Sequence, residues 1–115
     1  MTAGKIAKAY GLKLNQVAEI TGQSLETLSN WAKKGVELYN CIILGCIQFQ
    51  NGHKLEFDGR GAAELCKFHG FASLNQICEI TGQKRDKIRD WLTEKPDLFH
   101  TIMLGALAIK TGERG

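Results

Sequence analysis

The side chains best equipped for chemistry form a basic cluster late in the chain, Lys84, Arg85, Lys87 and Arg89. Ammonium and guanidinium groups donate strong hydrogen bonds to anionic acceptors such as nucleic-acid phosphates. Asp86 and Asp90 lie within one helical turn of these basic residues, so the same stretch could form ion pairs along a solvated helix face. The cluster therefore allows two interpretations, contact with nucleic acid or an ordinary charged surface.

Other residue types that carry chemistry lack the spacing they would need. The four cysteines contain no C-x-x-C pair, and the three histidines show no zinc-ligand spacing with them. We interpret the cysteines as apolar core residues in a reducing compartment. The sequence has no nucleophile–base pairing, paired carboxylates or phosphate-binding glycine loop. We therefore expect no enzyme, metal, cofactor or small-molecule substrate.

Composition indicates a folded protein with one small domain or two very small ones. The chain has 115 residues, of which 43% are hydrophobic and 23% charged. No apolar run reaches the roughly 18 residues that span a bilayer, and the N-terminus lacks the apolar core of a secretory signal. We expect a cytoplasmic protein without membrane contact. The net charge of +3 permits nucleic-acid binding but is too small to indicate it alone.

An internal repeat organises the chain. Residues 14–48 and 74–108 align without a gap, and 13 of the 35 aligned positions are identical. We predict an all-α fold of two tandem repeats with about four helices each. The first repeat covers residues 1–50, a short Gly-containing linker covers 51–61, and the second repeat covers 62–115. Weak alternation over residues 53–57 suggests an edge of β structure in the linker.

The sequence of each repeat predicts a pair of short helices joined by a tight turn. In the first copy the helices are expected from Lys5 to Tyr10, Leu14 to Ile20, Ser24 to Lys33 and Glu37 to Gln48. Gly22 supplies a turn residue that tolerates positive φ. Leu28 and Trp31 form the buried stripe of the third helix, and the equivalent Trp91 is expected in the core as well. The fourth helix is apolar nearly all round, so we expect the other helices to pack on it.

The spacing of the repeated pair is the basis for a family resemblance. Ala18, Gly22, Leu28 and Trp31 recur as Cys78, Gly82, Ile88 and Trp91. With the Ser29-Asn30-Trp31 ending, the pattern resembles the phage repressor and Cro-like helix-turn-helix family. The resemblance implies a sequence-specific transcriptional regulator of phage or mobile-element type that binds double-stranded DNA. It would act in the cytoplasm of a bacterial cell, which for a phage protein is the host.

The resemblance also implies which side chains face the major groove. In that family the N-terminal part of the second helix of the pair reads bases. Arg can bind guanine bidentately, Asn or Gln can bind adenine, and carboxylates can accept from cytosine. Carried over position by position, the groove-facing residues are Gln23, Ser24, Leu25, Glu26, Ser29, Asn30 and Lys33, and Gln83, Lys84, Arg85, Asp86, Arg89, Asp90 and Thr93.

This chain departs from the family pattern because it carries two different recognition helices. Repressors of this kind gain two reading heads by dimerising on a palindrome, whereas one chain with two heads predicts an asymmetric site. The alternative function is a protein-binding module, an antirepressor or an inhibitor of a host protein, that does not bind DNA. Low net charge and acidic residues on both recognition helices favour it. A homodimer through the apolar fourth helices is compatible with either function.

Overall fold

The computed structural model describes residues 2–57 and 59–111, and within them the chain forms eight α-helices and no strand. The helices are α1 (Ala3–Ala9), α2 (Leu14–Thr21), α3 (Leu25–Lys34), α4 (Val36–Gln50), α5 (Ala62–Phe68), α6 (Leu74–Thr81), α7 (Arg85–Glu94) and α8 (Pro96–Thr111). The prediction of an all-α protein is confirmed. The weak alternation over residues 53–57 forms no strand. No helix in the described part of the chain has the length and apolar character to cross a membrane.

Local capping explains where the short helices begin and end. The side chain of Thr2 accepts a hydrogen bond from the backbone N–H of Lys5 at 3.2 Å, so α1 begins two residues before the predicted start. Gly11 and Gly70 follow α1 and α5 with φ values of 80° and 94°, a region that glycine adopts without a Cβ clash. The other helices of the first half begin and end within two residues of their predicted bounds.

Helices α4 and α8 cross at the centre of the molecule. Gly45 lies against the carbonyl group of Thr101, and Gly105 lies against that of Cys41, so closely that a Cβ on either glycine would overlap the oxygen. A late residue of each helix thus meets an early residue of the other, which makes the pair antiparallel. The thiol of Cys41 also donates a hydrogen bond to the Ile102 carbonyl oxygen at 3.3 Å.

The two halves of the chain interlock around this crossing. Helix α2 packs on α8 as well as on α4, and α6 packs on α4 as well as on α8. Matching contacts recur at an offset of 60 residues: Gly22 faces Asp97, and Gly82 faces Glu37. The halves are therefore related by an approximate two-fold axis within one polypeptide.

The same packing bears on the homodimer that the sequence allowed. Leu38 and Ile42 of α4, and Leu98 and Ile102 of α8, are fully buried within the single chain. Their apolar surface is already covered by the other half of the molecule, so a homodimer through the fourth helices is not supported.

The linker residues lie on α8. The backbone N–H of Leu55 donates to Nε2 of His100 at 2.9 Å, and the Phe57 ring meets Phe99 edge-on at 5.4 Å between centroids. Asp58 of the linker and residues 112–115 of the second repeat lie outside the described residues. The described part of the linker is thus attached to the second half of the core, although it contains no helix.

Candidate nucleic-acid interface

Two matching turns position helices α3 and α7. Gly22 ends α2 and Gly82 ends α6, each with φ of 71°, so any other residue at these points would be strained. The buried Thr21 hydroxyl donates to the Val17 carbonyl oxygen at 2.7 Å and accepts from the Gln23 backbone N–H at 3.3 Å. Thr81 makes the equivalent bonds in the second half. The sequence marked both threonines by identity, but their role in fixing the turn was not predicted.

The inner faces of α3 and α7 are sealed against the core. Leu28 and Ile88 are fully buried, as the stripe pattern predicted. Trp91 is also buried, whereas Trp31 is only half-buried, so its predicted core position is met in part. The two indole rings lie 5.7 Å apart between centroids at an angle of 48°. This contact joins the two helices across the approximate two-fold axis.

The outer faces of α3 and α7 remain open. None of the fourteen predicted groove-facing residues is buried. The three half-buried ones are Gln23, Ser29 and Gln83; the exposed ones are Ser24, Leu25, Glu26, Asn30, Lys33, Lys84, Arg85, Asp86, Arg89, Asp90 and Thr93. Each of these positions can therefore be reached from solvent.

Side-chain contacts hold parts of the basic cluster in place. A guanidinium nitrogen of Arg85 donates to Oδ1 of Asn75 on α6 at 3.1 Å. Arg89 and Asp86 form an ion pair of 2.9 Å in which both side chains are mostly exposed. The Lys87 ammonium lies 5.7 Å from the centroid of the Trp91 ring. Sequence reasoning missed Asn75, which is identical to Asn15 but meets an arginine only in the second half, because Leu25 occupies the position equivalent to Arg85.

Helices α3 and α7 run antiparallel and are linked by contacts at each end and by the tryptophan pair between them. The ammonium of Lys95, just after α7, donates to the side-chain oxygen of Gln23, just before α3, at 3.2 Å. At the other end, Glu37, just after α3, faces Gly82, just before α7. Trp31 and Trp91 touch between these two ends, so the helices are close along their lengths as well.

The buried thiols do not contribute to this surface. Burial raises the pKa of the Cys41 and Cys46 thiols to about 12 and that of Cys66 to about 11. These cysteines are therefore protonated at neutral pH, the form in which a thiol is a poor nucleophile and metal ligand. Among the described residues, His, Cys, Asp and Glu side chains form no group of three that could hold a metal ion.

Comparison of the chain with protein-family models, with curated proteins and with solved structures gave no match.

Proposed function

We propose that this protein is a transcriptional regulator that binds double-stranded DNA sequence-specifically, with α3 and α7 as two non-identical recognition helices of helix-turn-helix pairs. The observation that carries the proposal is that both helices are amphipathic. Each follows a glycine turn, buries an apolar face in the core, and leaves a polar outer face exposed. Such a face can enter a major groove about 12 Å wide, which admits one helix.

The chemistry of α7 suits base recognition. Arg85 follows the turn directly, and its bond to Asn75 limits the conformations that the guanidinium must lose on binding. Arg89 lies one turn further along the exposed face. Both arginines can donate two parallel hydrogen bonds to guanine, the commonest specific contact in the major groove. At the equivalent positions helix α3 has Leu25 and Ser29, of which only Ser29 is polar.

The first test is a salt titration of binding to random duplex DNA, followed by fluorescence anisotropy. A protein that neutralises phosphates releases counterions, so the logarithm of affinity should fall linearly with the logarithm of salt concentration. Binding that is absent even at low salt would refute the proposal. It would favour the protein-binding alternative, which the acidic side chains of Glu26, Asp86 and Asp90 on the exposed faces support.

A second test addresses base reading on a sequence selected from a random pool. Arg85→Ala and Arg89→Ala should each weaken binding to the selected site by about 1–3 kcal/mol, the usual worth of a bidentate base contact. Lys67→Ala on α5 is the control, because it removes one exposed positive charge that belongs to neither α3 nor α7. Equal affinity of both arginine variants and the control would show that α7 does not read bases.

A further inference from the structure

The antiparallel arrangement of α3 and α7 gives their shared surface two ends of different charge. One end combines the last residues of α3 and the start of α4 with Lys84 and the first residues of α7, and we call it the basic end. It contains four basic and two acidic side chains, a net charge of +2: Lys33, Lys34, Lys84, Arg85, Glu37 and Asp86. All of these side chains are exposed.

The opposite end, which we call the acidic end, combines the start of α3 with the last residue of α7, Lys95 and the start of α8. The approximate two-fold axis places equivalent positions there, but their residue types differ. The charged side chains at this end are one basic and three acidic, a net charge of −2: Lys95, Glu26, Glu94 and Asp97. Ser24 and Leu25 stand where the basic end has Lys84 and Arg85.

Contacts between residues that flank the two helices bring the members of each end together. At the basic end Glu37 lies against Gly82, which brings the end of α3 to the start of α7. At the acidic end Lys95 binds Gln23. The two ends are separated by about the length of a ten-residue helix, 15 Å. This exceeds the Debye length of about 8 Å at physiological salt, so the two patches act on a ligand independently.

We propose that DNA docks on the basic end alone. In this arrangement, which rests on the proposed function, the start of α7 reads base edges, while Lys33 and Lys34 at the end of α3 contact phosphates beside the same groove. This narrows the proposed function: of its two recognition helices, α7 alone reads bases, and α3, whose start carries Leu25 and Glu26, supplies phosphate contacts only. The physical reason is electrostatic: phosphates are attracted to the net positive end and repelled by the net negative one.

The approximate symmetry supplies a matched experiment. Lys33→Ala/Lys34→Ala removes two charges at the basic end, and Thr93→Ala/Glu94→Ala changes the equivalent positions at the acidic end. In a plot of log affinity against log salt concentration for random DNA, the slope should be less steep by about 2 in the lysine variant, about one for each lost phosphate contact. The slope of the acidic-end variant should stay at the wild-type value, and Lys33→Arg/Lys34→Arg should retain the wild-type slope.

A second arm tests which helix reads sequence. Ser24→Ala/Leu25→Ala should leave the selected DNA motif unchanged, whereas Lys84→Ala/Arg85→Ala should relax it. An unchanged slope in the lysine variant, or an altered motif in the Ser24/Leu25 variant, would overturn this inference while DNA binding itself stood. No DNA binding by the wild-type protein would overturn both. All these side chains are half-buried or exposed, and circular dichroism melting would verify that each variant is folded.

Discussion

At the scale of single residues, Gly45 and Gly105 set the distance between the two central helices. Each occupies the middle of an apolar helix, where glycine costs stability relative to alanine because of its backbone freedom. That cost is offset by the backbone-to-backbone approach of α4 and α8, which leaves no room for a Cβ. The thiol of Cys41 and the side chain of Thr101 complete the crossing.

We expect Gly45→Ala to destabilise the protein by about 3 kcal/mol or more, the upper range for overpacking a core, because the new methyl group would overlap a carbonyl oxygen. Gly105→Ala should behave alike. Gly4→Ala on α1 is the control, since a Cβ there meets nothing within 4 Å. It should be neutral or stabilising by up to about 1 kcal/mol. Urea denaturation measures the free energy of unfolding of all three variants. Equal stability of Gly45→Ala and the control would contradict the close crossing of α4 and α8.

The sequence indicated these glycines only in part. Both belong to the identical positions of the repeat, and a glycine kept twice in an apolar helix is a signal of close approach. The residue that each glycine contacts on the other helix cannot be found in this way, because the two contacted positions, Cys41 and Thr101, differ between the copies. An identical residue in both copies indicates that the position is constrained. Which residue packs against it depends on how the helices cross.

At the scale of elements, the turns were predictable and the pairing of helices was not. Gly22 and Gly82 fix local backbone geometry that depends on a few adjacent residues, so the bounds of α2 and α3 followed from the sequence. The contact between Trp31 and Trp91 depends instead on the antiparallel crossing of α4 and α8, which brings together residues 60 positions apart. Trp31 was expected in the core of its own half, yet it meets the other half and stays partly exposed.

The linker is an element whose attachment depends on one histidine. The Leu55 N–H needs an unprotonated Nε2 on His100, so protonation of the ring breaks this bond. Burial lowers the pKa of His100 below its ordinary 6.5; nearby Lys54 and His69 act in the same direction, and Asp97 opposes them. The unfolded chain therefore takes up the proton at a higher pH than the folded chain. Stability is full above about pH 6.5 and falls as the pH drops toward the folded-state pKa.

We expect the wild-type protein to lose on the order of 1 kcal/mol more stability than His100→Gln between about pH 7.5 and pH 5, the usual net worth of a hydrogen bond. The glutamine carbonyl can accept from Leu55 at either pH. His53→Gln is the control, because His53 is exposed. Urea denaturation at the two pH values gives the comparison, and identical losses in wild type and His100→Gln would rule out this role for His100.

At the scale of the whole molecule, the approximate two-fold axis places the candidate recognition helices closer together than two half-sites require. Dimeric helix-turn-helix regulators set their reading heads about 34–36 Å apart, one turn of DNA. The described residues extend only 34 × 26 × 21 Å, and Trp31 of α3 touches Trp91 of α7. Because the two halves interlock within one chain, α3 and α7 form one joined surface, whereas the recognition helices of a dimer are widely spaced.

This geometry predicts the form of the binding site. Selection of duplexes from a random pool should enrich one contiguous, asymmetric motif shorter than a helical turn of about 10 base pairs, because both helices cannot reach successive major grooves on one face. Sedimentation of the complex would establish one chain per duplex, and hydroxyl-radical footprinting would measure the protected length. The control is a synthetic palindrome that carries two copies of the motif one turn apart. With one chain per duplex, the protein should bind it no more tightly than a duplex with a single copy. Tighter binding of the palindrome by one chain would require α3 and α7 to separate, and would contradict the close contact between Trp31 and Trp91.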